Sequence, residues 1–284
     1  MASLKELRRR IRSVKSTQQI TKAMEMVAAA KLRRAQARAL AARPYAAKLT
    51  GMLANLSGAA AELDHPLFKA REVKSTALVL ITSDRGLAGA YNTNLIRAAD
   101  QRLRRAPAGS IQLVLLGKKG RDYFRRRKYP ILGTYVDLPA EANLDFVRRL
   151  TQELIDHFVA GTVDRVEIQY TQFLSALNRR VVTEVFVPVG GGERKGAGDS
   201  NIIFEPDAAT IFAELLPRYA TAKLFAAVAD SLASEHRSRM VAMGSARKNA
   251  GELVDALTLQ RNRLRQATIT KEISEIVGGA EALK

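Results

Sequence analysis

The stretch ITSDRGLAGAYN, residues 81–92, sets a serine, an aspartate, an arginine and two glycines where an apolar run gives way to a helix-forming one. A strand handing over to a helix through glycines is where backbone N–H groups often cradle phosphate. The spacing does not suit that chemistry. Gly86 and Gly89 do not make G-x-G-x-x-G, and no lysine follows as in a phosphate-binding loop. GKKG, residues 117–120, also lacks the spacing, and it has no Ser or Thr to hold a metal ion. What remains is a tight turn in which glycine lets backbones pass close together. Ser83 and Asp84 adjoin, but no histidine is near in sequence and no G-x-S-x-G elbow exists. His65, His157 and His236 are widely separated, and none has a ligand partner at i+4. The absence of cysteine excludes thiol catalysis, disulfides and cysteine zinc sites. These residues assemble no catalytic set, cofactor seat or metal site, and the chain is expected not to be a catalyst itself.

Two long segments surround that middle stretch. Steps of alternating threes and fours from Leu4 give Leu7, Ile11, Val14, Gln18, Thr21, Glu25, Ala28, Leu32, Ala35, Ala39, Ala42, Ala46, Leu49, Leu53 and Leu56. This is a heptad seam longer than an ordinary globular helix, with many alanines that let a partner helix approach closely. Pro44 is expected to interrupt or kink it. The same stepping from Leu215 gives Ala222, Phe225, Ala229, Leu232, His236, Arg239, Met243, Ala246, Ala250, Leu253, Leu257, Gln260, Leu264 and Ala267. Asp207 reads as its N-cap, and Pro217 as a break or bend in the first turns. One oddity stands out: the first seam turns polar for two turns, at Gln18, Thr21 and Glu25.

The middle is written in another style. TALVLIT and IQLVLLG read as buried parallel strands, each followed by a helical pattern. NLDFVRRLTQELIDHFVAG is a helix with Leu144, Val147, Leu150, Leu154 and Phe158 on one side, and VDRVEIQYTQF and RRVVTEVFVPV alternate as strands. GGERKGAGDS, residues 191–200, is a loop by composition. The expected fold is α/β: a long antiparallel coiled coil of N- and C-terminal helices (1–58 and 207–284) with an inserted Rossmann-like α/β domain (75–205).

Composition narrows the function. An apolar content of 47% in 284 residues supports a folded core, and no apolar run approaches the roughly 20 residues that span a bilayer. The basic start has no unbroken apolar stretch behind it, so no secretory signal is expected and the mature chain is expected to start at or near residue 1. The formal net charge is +18, and before Thr50 thirteen Lys and Arg face only Glu6 and Glu25. Such a field favours an acidic protein surface, anionic lipid or nucleic acid.

STQQITKAMEMVAAAKLRRAQ near the start, with ASEHRSRMVAMGSARKNA and RNRLRQATITKEISEIVGGAEAL near the end, resembles the γ subunit of F-type ATP synthase, and ITSDRGLAGAYN is similar to that family's middle domain. The likeness covers essentially the whole chain in order, without the cysteine-bearing insertion of chloroplast relatives, and suits a bacterial form. It implies a rotor that couples proton flow through a membrane c ring to ATP synthesis, with catalysis on β subunits and not on this chain. It implies as partners three α and three β subunits, the ε subunit and the c ring, no cofactor, and a peripheral place on the cytoplasmic face of the bacterial cell membrane. It also implies contact or coupling roles for Met24, in KAMEM, for Arg239, in RSRMVAM, and for Gln266, Thr270 and Glu272, in RQATITKE. Glu205, in FEPD, matches a position near the c ring, where this chain has Ile202 instead of a tyrosine often discussed with it. On this likeness the polar seam residues would lie where the shaft both packs internally and slides past changing neighbours.

Two other readings stay open on the residues alone. One is a coiled-coil nucleic-acid binder, which lacks a recognised module and interleaved stacking aromatics. The other is a Rossmann-type enzyme with helical arms, which lacks the glycine fingerprint.

Overall fold

The computed structural model describes residues 3–55, 65–68, 71–139, 141–173, 179–189 and 207–281. In chain order come α1 (Leu4–Asn55), a single 3-10 turn (Pro66–Phe68), β1 (Thr76–Ile81), α2 (Tyr91–Arg105), β2 (Ile111–Leu116), α3 (Lys118–Arg125), β3 (Ile131–Tyr135), α4 (Leu144–Val159), β4 (Arg165–Phe173), β5 (Arg179–Val187) and α5 (Ala208–Glu281). Contacts divide the chain into two units, Met1–Ala28 with Arg239–Lys284, and Ala29–Ser238. The expected 191–200 loop and Glu205 lie outside the described residues.

In the larger unit a five-stranded sheet runs β3-β2-β1-β4-β5. The first four strands are parallel and β5 is antiparallel on β4. Every residue of β1 is buried, as its unbroken apolar run requires of a central parallel strand. Leu78 and Leu80 pack with Leu113, Leu115, Leu95 of α2 and Phe124 of α3. Ala77, Val79 and Ile81 point into the other layer, with Val147, Leu150, Leu154 and Phe158 of α4, Leu49 and Leu53 of α1, and Phe212, Leu216 and Leu224 of α5. Leu144, expected on the apolar side of α4, is exposed, because the helix starts there, just after its cap Asn143. β3 was not legible: ILGTY is short, contains a glycine and leaves Ile131 exposed, so only its pairing with β2 defines it.

Alternation in β4 does not mean one wet face. Glu167, Gln169 and Thr171 are buried like Ile168 and Tyr170 between them. Gln169 donates to the Leu95 carbonyl of α2 at 3.2 Å, and Glu167 pairs with Arg102 and, at 3.7 Å, with Arg165. A buried charge persists only with such partners.

Asp207 caps α5 as expected, accepting from the Thr210 N–H at 2.8 Å. Pro44 and Pro217 do not end their helices; α1 and α5 continue through them. The lost backbone bond costs about 3 kcal/mol per proline. Burial of Leu49 and Leu53 after Pro44, and of Leu215, Leu216 and Ala220 around Pro217, offsets it.

The smaller unit is an antiparallel pair, residues 4–28 of α1 against α5. Leu7, Ile11, Thr21 and Ala28 are buried, and the remaining seam positions Leu4, Val14, Gln18 and Glu25 are half-buried. The α5 seam departs from expectation after Ala250. Leu253 is 48% exposed, Gln260 and Ala267 are exposed too, and the inward stripe is Val254, Leu257, Arg261, Leu264 and Thr268. The threes and fours have exchanged order, a shift of one residue that a helix of 3.6 residues per turn makes easily.

Candidate functional site

At the carboxyl ends of β1, β2 and β3, the tripeptide Thr82-Ser83-Asp84 takes up the free N–H groups that begin α3. The Lys118 N–H donates to Asp84 Oδ1 at 3.0 Å, Lys119 N–H to the Ser83 carbonyl at 3.1 Å, and Gly120 N–H to Thr82 Oγ1 at 2.9 Å. Asp84 accepts also from Asp137 N–H at 3.2 Å and Leu138 N–H at 2.7 Å, so one carboxylate ties together the loops after three strands. Thr82 Oγ1 in turn donates to the Leu116 carbonyl at 2.7 Å. These are the donors a phosphate would use at a helix start, and the chain's own oxygens already occupy them. The glycines of GKKG serve the same closure. Gly117 has φ +91°, and a Cβ there would lie 2.4 Å from the Thr82 carbonyl oxygen; a Cβ on Gly120 would lie 2.9 Å from Thr82 Oγ1. The turn is a clasp.

The polar patch of α1 meets a different arrangement. Glu25 and Arg247 of α5 form an ion pair at 2.9 Å. A Cβ on Gly244 would come within 3.1 Å of Glu25 Oε1, and one on Gly251 within 2.9 Å of Gln18 Nε2. Gln18 and Glu25 are seven residues apart and so are Gly244 and Gly251, in reverse order, as an antiparallel register demands. Thr21, between them, turns its hydroxyl back to the carbonyls of Thr17 and Gln18, each at 3.0 Å, and needs no partner from α5. Each long polar side chain thus sits over a glycine. The sequence carried the signal in the matched sevenfold spacing, which single-helix periodicity does not reveal.

That register places Leu4 opposite Arg265, so α5 runs on past the start of α1 from Gln266. The run-on is exposed, and Ile269, Ile273, Ile276 and Val277 (47 to 71% exposed) repeat at helical spacing along it. Gln266, Thr270 and Glu272 lie on this exposed part; Met24 and Arg239 lie half-buried in the paired part. Arg239 and Gln266 are separated by 27 residues, about 40 Å of helix, so the five form no single pocket. Among the described residues no group of His, Asp and Glu could hold a metal ion, and no helix is long and apolar enough to cross a membrane.

The ATP synthase family model matches residues 3–283. Over the whole of both chains, this chain is 49% identical to the ATP synthase gamma chain of Moorella thermoacetica and 48% identical to that of Desulforamulus reducens. The chain belongs to the ATP synthase γ-chain family. In solved structures it is similar to a chain of the central stalk and c-ring assembly of Tetrahymena thermophila mitochondrial ATP synthase, with a TM-score of 0.64 and 26% identity over 80% of this chain and 99% of that one. A chain of the Euglena gracilis mitochondrial enzyme shares the fold, with a TM-score of 0.69 at 18% identity over 99% of this chain and 94% of that one. For a member of the γ-chain family the clasp and the polar seam acquire distinct meanings: one closes an α/β layer, the other sets a helix pair in register.

Proposed function

We propose that this chain is the central rotor of a bacterial F-type ATP synthase, turning inside a ring of three α and three β subunits and resting with ε on the membrane c ring. Residues 1–58 and 207–284 are then shaft, and 75–205 the domain beside its foot. The chain is not the catalytic subunit; it is peripheral to the membrane, at the cytoplasmic face, and couples proton flow to ATP synthesis on β. The observation that carries this reading is the run-on of α5 from Gln266, past the start of α1, with an apolar stripe exposed among the described residues and no aromatic bulk. Such a tip can turn within an apolar sleeve, where dispersion contacts are non-directional and readily exchanged.

An asymmetric shaft biases each β subunit in turn. Moving a two-state element from 1:99 to 99:1 takes about 5.5 kcal/mol of differential contact. Met24, Arg239, Gln266, Thr270 and Glu272 are the shaft residues proposed to supply part of that difference, and Glu205 a contact at the foot. The inward packing of Gln18 and Glu25 on Gly251 and Gly244 leaves the sliding face to their neighbours, among them the half-buried Met24 and the exposed Ile20, Met26 and Val27.

Met24→Lys tests the reading. An uncharged, flexible methionine passes an acidic partner without strong attraction. A lysine adds an ion pair present in only some rotational states, and about 2.7 kcal/mol of extra attraction slows its breakage by about a hundredfold. The assembled complex is expected to form and hydrolyse ATP but to pump fewer ions per ATP. An unchanged ratio of pumping to hydrolysis in reconstituted vesicles would remove Met24 from the coupling surface. Failure of the chain to assemble with α and β at all would remove the rotor reading itself.

A further inference from the structure

Pro217 leaves the carbonyl of Ala213 without its usual helical donor and sets a ring into the α5 surface. Beside it, within the larger unit, α4 and α5 part to form a groove of about 490 Å³. Its apolar lining comes from Tyr45, Leu144, Pro217, Ala222 and Phe225, and its volume falls within the range of about 300–1,000 Å³ common for ligand pockets. Three polar features single it out from an ordinary crease. Arg148 and Arg218 line it, while among the described residues no carboxylate does. Both guanidinium groups are mostly exposed, in pairs with Asp145 at 3.5 Å and Glu214 at 3.2 Å that water screens, so either can turn towards a ligand at little cost. The third feature is Thr151, which lines the groove although it is only 2% exposed. Its Oγ1 has no hydrogen-bond partner among the described residues, not even the carbonyl one turn back that a helical threonine usually takes. An unmade buried hydrogen bond is a standing cost, and a turn of the Thr151 side chain about χ1 towards the groove would let a bound acceptor relieve it.

We infer that this groove is a binding site for a single-chain amphiphile with an anionic head, such as a medium-chain carboxylate. Arg148 and Thr151 are three residues apart on α4 and so share a face, where one carboxylate can accept from both. The alkyl chain lies against Ala222 and Phe225 of α5. Charge decides the head, because the two arginines reach the groove while Asp145 and Glu214, which pair with them, are not among the described residues that line it.

The test is calorimetric titration of the full-length chain with octanoate, octanol and octylammonium at equal ionic strength. Saturable binding of octanoate is expected, about tenfold or more tighter than octylammonium, with octanol between them. Thr151→Val keeps the shape and removes the hydroxyl; it is expected to weaken octanoate severalfold while leaving the unfolding midpoint of the unliganded chain unchanged or higher. Ala222→Phe fills the groove and is expected to abolish binding without altering the far-ultraviolet circular dichroism. Equal affinity for octanoate and octylammonium, or undiminished binding to Ala222→Phe, would overturn the site. So would the absence of saturable octanoate binding, and tight binding of an acidic amphipathic helical peptide in its place would assign the groove to a protein segment.

Discussion

The clasp at the sheet and the seam of the helix pair both depend on glycines meeting polar groups, yet the two contacts are of opposite kinds. At Gly117 the neighbour is the Thr82 carbonyl, a backbone atom fixed in the sheet, and the φ of +91° belongs to glycine. At Gly251 the neighbour is Nε2 of Gln18, the far end of a flexible side chain on a solvent-lined helix. A backbone contact cannot relax without moving a strand, whereas a side-chain tip swings away. Similar close approaches should therefore differ by several kcal/mol in consequence. A rigid layer and an adjustable shaft call for those two kinds of contact.

The largest effect is expected for Gly117→Ala. The added Cβ meets backbone and the φ becomes strained, together about 3 to 5 kcal/mol. Faster amide exchange across β1 and β2 would report it; exchange rates in residues 76–81 and 111–116 that match the wild type would refute the fixed-backbone account. Asp84→Ala comes next. It strands the Lys118, Asp137 and Leu138 N–H groups, two of them partly buried, for about 2 to 4 kcal/mol. Its signature is protection lost together at the starts of α3 and of the loop after β3, not in α2.

Smaller changes belong to the shaft. A double-mutant cycle with Glu25→Gln and Arg247→Gln should give a coupling of no more than about 1 kcal/mol, because both partners of the 2.9 Å pair reach solvent. A coupling above about 2 kcal/mol would mean that this pair, and not glycine packing, holds the register. Gly251→Ala is expected to be neutral or to stabilise by up to about 1 kcal/mol, since alanine favours helix and Gln18 can turn aside. Destabilisation as large as that of Gly117→Ala would erase the distinction between the two regions.

Much of the fold was legible because periodicity reports burial. The α1 seam from Leu4 to Leu53 is buried or half-buried at every position whose side chain the structure describes. TALVLI and IQLVLL became the buried parallel strands that their length and β-branched content imply. Beyond Ala250 the α5 seam held at Leu257 and Leu264 but failed at Leu253, Gln260 and Ala267, because a strict 3.5-residue repeat and a 3.6-residue helix drift apart, and only the partner helix decides which side of the drift is buried. The clasp was half legible. The glycines marked close backbone approach, but Asp84 reaches N–H groups 34, 53 and 54 residues away. No local spacing encodes such a contact.

By itself the sequence determined the two long helices, the helix at 144–159 and every strand but β3, that no thiol chemistry is possible, and, through long matched motifs, the family. Those properties are local or additive: side-chain period, residue inventory and a string of identities. Tertiary structure alone decided that Gln18 and Glu25 of the α1 seam rest on glycines of α5, and that the acidic and amide face of β4 lies dry against α2. It alone decided that the donors opening α3 are already taken, and that Thr151, beside a groove, holds a hydroxyl with no partner among the described residues. Each of these is a relation between residues far apart in the chain, and a hydrogen bond or close contact between such residues exists only once the intervening elements have packed.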